Sequence, residues 1–389
     1  MSGKPAQTGQ QEKAAVSRRR FLATTAGAAA GLGALSAAAL DGQAASADEM
    51  PGRTQYRGYA EAGMAALQAW YNTATGLWHT TNWWNAANAL NAVIQYTQRT
   101  NDETYAGAVA NTFTQAQAVH PNFTNSYYDD TGWWALTWVD AYDLTRDSRY
   151  LDTAKNSFAY IAASWGGGCG GGVWWNTAKS YKNAIANELF LSLAAALHLR
   201  TPGDRGQGSY LDWALQEWNW FRGSGLINSS GLINDGLNSS CQNNGGTTWT
   251  YNQGVILGGL ASMYQITHDR SFLDQGEIIA DAALRHLTNA QGILIEPCET
   301  TSSSCNADQT QFKGIFARNL YAFYLESRRP AYRDFILRNA SSIWATDRNT
   351  ASQFGLRWAG PFDTADASRQ SSAQDAMNAA VGLFGPPQT

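Results

Sequence analysis

Two adjacent acids, Asp129 and Asp130, stand in the segment Ser126-Tyr127-Tyr128-Asp129-Asp130-Thr131-Gly132-Trp133-Trp134, with aromatic residues on both sides. Hydrolysis of a glycosidic bond uses two carboxyl groups, one protonated and one ionised. When configuration is retained they stand about 5–5.5 Å apart, because one attacks the anomeric carbon. A helix starting near Gly132 would favour an anion on one of these acids, while the like charge and the rings favour a proton on the other. The same residues admit a plainer reading, an aspartate capping that helix. A metal-binding Asp-Asp-x-x-Asp fails, because Trp133 occupies its last position.

The surrounding side chains suit a sugar. The chain holds 16 Trp and 17 Tyr, residues with a flat apolar face and one polar handle. Three tandem pairs, Trp83-Trp84, Trp133-Trp134 and Trp174-Trp175, are candidates, with one ring of each pair stacking on sugar and the other packing inward. Asp235, Tyr251, Asn252 and Gln253 are candidates for binding hydroxyls; for Asp235 the alternative is an Asx turn. Lys313, at a helix start, is a candidate partner for a catalytic carboxylate. Glu188 falls deep in a helix and is expected to pair with a neighbour. The run Gly166 to Gly172, interrupted only by Cys169, lacks the Gly-Lys-Ser/Thr ending of a phosphate loop. No cysteine–histidine spacing suggests zinc, and neither metal nor cofactor is expected.

These residues need a scaffold, and an internal repeat describes one. Helix, short turn, aromatic-Leu or similar pair and second helix recur: Trp84 to about Val119, Trp133 to Ile161, Tyr181 to Phe221, Tyr251 to Leu287 and Phe312 to Trp344. One more helix fits before them, about Gln55 to Tyr71, and one after, about Ala373 to Phe384. The first helix of each pair is apolar nearly all round and must be buried, whereas the second carries a charged face. Alternating buried and half-exposed helices predict an all-α (α/α)6 toroid of six inner and six outer helices. The longer loops all precede inner helices: Thr73 to Trp83, Asn122 to Thr131, Gly166 to Ser180, Gly223 to Thr250 and Asn289 to Gln311. They should therefore gather at one end of the barrel, where long loops usually serve function.

Ser17-Arg18-Arg19-Arg20-Phe21-Leu22 fits a twin-arginine export address. An Ala/Gly-rich stretch and Ala45-Ser46-Ala47 follow as a cleavage site. Residues 1–47 are thus expected to be a removed signal peptide and 48–389 a single catalytic domain, secreted and monomeric, with no membrane span. Export permits disulfides, and Cys169–Cys241 with Cys298–Cys305 is the favoured pairing of three. A net charge of −4 without a basic patch argues against nucleic acid.

Four segments in order resemble glycoside hydrolase family 76, the α-1,6-mannanases. They are Tyr128 to Trp134, Gly171 to Asn176 with Tyr181 to Glu188, Trp249 to Gly254, and Phe312 to Arg318. The resemblance implies a retaining endo-α-1,6-mannanase with an (α/α)6 fold and α-1,6-mannan as partner. It also implies Asp129 as nucleophile and Asp130 as acid/base. A mannan transglycosylase and a non-catalytic mannan-binding protein are the alternatives; an intact acid pair argues against the second.

Overall fold

The computed structural model describes residues 51–300 and 304–385. The export signal expected in residues 1–47 lies outside them. Among the described residues, twelve α-helices account for most of the chain: α1 Arg53–Gln68, α2 Trp83–Thr100, α3 Gly107–Gln115, α4 Tyr128–Thr145, α5 Ser148–Ala162 and α6 Ala184–Leu199. They continue with α7 Tyr210–Gly223, α8 Thr250–Thr267, α9 Ser271–His286, α10 Phe312–Ser327, α11 Pro330–Thr346 and α12 Ala367–Gly382. One hairpin, β1 Tyr71–Asn72 and β2 Leu77–Trp78, lies within the first long loop.

The even-numbered helices form the inner ring. Each packs on the next, and α12 packs on both α10 and α2, which closes the ring. The odd-numbered helices pack outside, α5 on α4, α7 on α6, α9 on α8, and both α1 and α11 on α12. This is the expected (α/α)6 toroid. No described helix is long and apolar enough to cross a membrane.

The recurring turn of the sequence has a physical basis. Inner helices α2, α4 and α8 end on Asn101, Arg146 and His268, each in the left-handed conformation. The hydroxyl of the preceding threonine accepts the N–H of the following aspartate, at Thr100–Asp102, Thr145–Asp147 and Thr267–Asp269. The aspartates then accept N–H groups of Thr104, Arg149 and Ser271, which sets the next segment's direction. A Thr-x-Asp triplet thus reverses the chain without glycine.

Two boundaries differ from expectation. α4 starts at Tyr128, four residues before Gly132, so Asp129 and Asp130 lie in its first turn. Neither is its cap, which is Tyr127. α12 starts at Ala367 rather than Ala373. Its opening Ser-Arg-Gln-Ser-Ser looks like loop, yet nearly every residue of this helix is buried. Its amides serve neighbouring backbone instead of water: Gln370 donates to Gly63 O, Gln374 to Ala60 O and Asn378 to Ala92 O. Small residues let the ring close tightly here. A Cβ on Gly314 would fall 2.3 Å from the Ser372 carbonyl oxygen.

Candidate active site

The loops before the inner helices are anchored by a repeated device. The fourth residue of three inner helices carries an amide that grips a buried apolar residue of the preceding loop. Asn187 accepts the N–H of Val173 and donates to its carbonyl. Gln253 does the same to Ile233. Gln370 accepts the N–H of Phe354. Hairpin-like turns lie in the same loops: Asn228, Asn238, Asn289 and Asn349 each accept two backbone N–H groups with the side-chain oxygen. Loops of polar composition therefore stand on firmly bonded feet.

At this end of the barrel a cleft of about 390 Å³ opens. Asp129 and Asp130 both line it, together with Asp235 and Asp308. Aromatic walls come from Trp84, Trp133, Trp175 and Tyr251. No Lys, Arg or His is among the lining residues.

The segment Trp175 to Thr177 holds the start of α4. Tyr128 N donates to Trp175 O and Thr177 N to Ser126 O, both at 2.9 Å. This pairing aims the Trp175 indole N–H at Asp129 Oδ2, at 2.8 Å. Asp129 Oδ1 accepts the backbone N–H of Asp130 at 3.0 Å. Asp130 Oδ2 accepts the Asn125 amide at 2.7 Å. Each acid keeps some accessible surface at the cleft, though protein surrounds both.

Enclosure dominates their ionisation. Burial pushes Asp129 well above the usual carboxylate range, and the charge of Asp130 adds to this. The Trp175 and Asp130 N–H groups pull the other way. Asp130 is pushed up to about 6 by burial, eased by Asn125 and reinforced by Asp308. Enclosure and hydrogen bonding thus act in opposite senses on Asp129: burial, the larger influence, favours its acid, and its two donors favour its anion.

The tryptophan pairs divide. Trp84, Trp133 and Trp175 face the cleft. Trp83 instead packs against His120, Phe123 and Trp134. Trp134 is fully buried, against Trp138 and Phe123. Trp174 covers Gly167 and Gly168 and lies over Lys182. Trp83, Trp134 and Trp174 are not among the lining residues, so one ring of each pair faces the cleft and its neighbour packs inward. Inner-helix position explains it for Trp83 and Trp134: consecutive residues on a helix point about 100° apart, so one faces the lumen and its neighbour the outer layer.

Three more candidates are placed elsewhere. Gln253 is the loop anchor described above. Asn252 is 1% exposed and absent from the lining. Lys313 is 1% exposed and meets no catalytic carboxylate. It donates to Glu299 Oε1 at 2.5 Å and Leu356 O at 2.6 Å. Asp235 and Tyr251 do line the cleft; Tyr251 stacks on Phe312 at 3.8 Å, and Tyr181 Oη donates to Asp235. Glu188 was expected to pair, but neither oxygen has a hydrogen-bond partner among the described residues. Burial pushes its pKa well above the ordinary carboxylate value.

Sequence reasoning missed Asp308, Tyr181 and Asn125. Asp308 accepts from Asn82 Nδ2 and from Trp84 Nε1, both at 2.7 Å, and so fixes the Trp84 ring. It sits in a polar stretch beyond Cys305 with no local signal. The disulfides join Cys169 to Cys241 and Cys298 to Cys305. Among the described residues, no group of His, Cys, Asp and Glu is arranged to hold a metal.

Comparison with known proteins agrees with this architecture. The family model described as Glycosyl hydrolase family 76 matches residues 55–386. A mannan endo-1,6-alpha-mannosidase of Candida albicans is 28% identical over 262 residues, covering 61% of this chain and 57% of the relative. The chain spans about three fifths of the length of the curated relatives it matches. An alpha-1,6-mannanase of Salegentibacter sp., an inactive variant with two consecutive aspartates replaced by alanine, was solved in complex with alpha-1,6-mannotetrose. It superimposes with a TM-score of 0.75 at 23% identity, covering 84% of this chain and 99% of that one. Dfg5 of Chaetomium thermophilum, in complex with glucosamine, superimposes with a TM-score of 0.77 at 20% identity, covering 87% and 93%.

Proposed function

We propose that this chain, which belongs to glycosyl hydrolase family 76, is a secreted endo-α-1,6-mannanase that cleaves with retention by double displacement. The observation that carries this is the placement of Asp129 and Asp130 in one aromatic-walled cleft, in the first turn of an inner helix. The relatives named for endo-1,6-mannan cleavage support the bond, and the mannotetrose-bound neighbour supports the substrate class.

In the first step Asp129 attacks the anomeric carbon while the bond to the leaving oxygen breaks. Asp130 gives its proton to that oxygen. In the second step Asp130 takes a proton from water, the water oxygen bonds to the anomeric carbon, and Asp129 leaves as the carboxylate. The Trp175 and Asp130 N–H groups favour the Asp129 anion, which is both the attacking form and the departing form. A bound sugar excludes water from Asp130 and pushes its pKa above its value in the open cleft, so the proton is present when needed. Trp84, Trp133 and Trp175 offer faces for sugar C–H groups, and Asp235 with Tyr181 offers hydroxyl partners.

Export through the twin-arginine signal belongs to the same reading. Two disulfides suit an oxidising destination.

Linear α-1,6-mannan is the test substrate. A spread of intermediate lengths from the earliest times is expected, with newly formed reducing ends in the α configuration. Asp130→Asn should lower kcat by about 10²–10⁴, the usual worth of a positioned acid/base. Full hydrolysis by Asp130→Asn would end the mechanism, and mannose alone from the start would end the endo assignment.

A further inference from the structure

The glycine run Gly166 to Gly172 encloses a lysine. Lys182 is 2% exposed. Its ammonium donates to Gly166 O at 2.9 Å, Gly172 O at 2.8 Å and Gly171 O. Gly166 N donates to Gly172 O and closes the loop on itself. The Trp174 and Trp220 rings flank the ammonium at 4.6 and 5.7 Å. Glu217 on α7, fully buried, is the titratable group facing it, and burial pushes its pKa well above the ordinary carboxylate value. The glycines are needed for this close wrapping: a Cβ on Gly171 would fall 2.2 Å from Trp165, and one on Gly172 would fall 2.5 Å from Trp220.

Tyr181-Lys182-Asn183 alternates like a strand. Tyr181 and Asn183 face the cleft, and Lys182 points away from it into the loop. The same tripeptide grips the catalytic wall, because Trp175 N donates to Tyr181 O at 2.9 Å. Trp175 O in turn accepts Tyr128 N at the start of α4. Only Val173 and Trp174 separate Gly172 from the residue whose indole reaches Asp129.

We infer that Lys182 is a positioning residue: by drawing three loop carbonyls onto its ammonium it fixes the segment that aims the Trp175 N–H at Asp129. Three carbonyls converging in the interior would otherwise repel one another, and those of Gly166 and Gly171 would lack a donor. A buried cation answers both needs. Cys169–Cys241 and the bond from Trp220 Nε1 to Cys169 O at 2.8 Å tether the loop's outer side, and Asn187 holds Val173 just beyond it, but the Gly166 and Gly171 carbonyls are gathered by Lys182.

The inference rests on the proposed hydrolase reading for its kinetic arm and is independent of it for its spectroscopic arm. Trp175→Phe should move the acidic limb of kcat/KM upward by about one pH unit, since losing one donor to a carboxylate raises its pKa by that order. Lys182→Met should move the limb in the same direction by less. The double variant should move it no further than Trp175→Phe alone, because the lysine acts through the indole. In parallel, the Trp175 indole ¹⁵N–¹H resonance, assigned by its loss in Trp175→Phe, should shift toward the position of a water-exposed indole in Lys182→Met. If Lys182→Met does not fold, Trp220→Phe loosens the same loop and should shift that resonance likewise. A lowered Tm with both the limb and the resonance unmoved, or additive limb shifts in the double variant, would overturn the inference. A wild-type enzyme that leaves linear α-1,6-mannooligosaccharides intact defeats the hydrolase reading instead, and the resonance still decides the role of Lys182.

Discussion

Replacing Lys313 by Met separates a structural lysine from a catalytic one. The ammonium is 1% exposed and lies between Glu299, the Leu356 carbonyl and the Trp358 ring, whose centroid is 5.0 Å away. Glu296 and Asp347 also feel its charge. Methionine keeps the length of the side chain and removes the cation, leaving Glu299 without its buried partner. Breaking a buried pair from one side costs about 3–5 kcal/mol. Unfolding entropy is about 2.1 cal/mol/K per residue, or roughly 0.7 kcal/mol/K over some 330 folded residues. The variant should therefore melt about 4–7 °C lower by calorimetry. Well below that temperature its kcat and the acidic limb of its pH profile should match wild type, because Lys313 touches neither Asp129 nor Asp130. A variant that melts within about 1 °C of wild type yet has lost activity would refute this placement and return Lys313 to the cleft.

Three further outcomes concern the Trp133–Trp134 pair and the buried acids. Trp134→Ala should lose about 3–5 kcal/mol of stability with KM unchanged in the protein that folds. Trp133→Ala should raise KM about tenfold, one stacking contact's worth; equal effects on KM from the two neighbours would contradict the division of the pair. Stability should also fall as pH rises from about 4 to about 8. Burial pushes Glu296 and Asp347 up to about 8 and Asp375 to about 6, so the folded chain retains protons that the unfolded chain has already released near its ordinary carboxylate pKa. The folded state then binds more protons across that window, and raising the pH works against it. Scanning calorimetry should give a higher Tm at about pH 5 than at about pH 8, and the opposite order would show that these acids are ionised in the folded chain.

Much of this architecture is legible in the amino-acid sequence. Helix pairs, their order and the gathering of long loops follow from burial and turn chemistry that act locally. The Thr-x-Asp turns announce three of the reversals because their hydrogen bonds span only two residues. The start of α12 is hidden because composition reports water exposure only when polar groups have no other partner. Its serines and glutamines spend their hydrogen bonds on Gly63, Ala60 and Gly314. At the cleft, Asp129 and Asp130 stand out because they are adjacent. Asp308 does not, since its partners Asn82 and Trp84 are more than two hundred positions away. Lys313 and Gln253 mislead for one reason: a polar residue at the mouth end of an inner helix serves a neighbouring loop as readily as a ligand, and the choice depends on backbone that arrives from elsewhere.

The amide grips on Val173, Ile233 and Phe354 bear on how such a scaffold diversifies. Each holds main-chain atoms of a loop base, so the residues beyond that base are free to vary in kind and number without disturbing the ring beneath. Changes confined to the tips can then reshape the cleft while the start of α4 keeps its geometry.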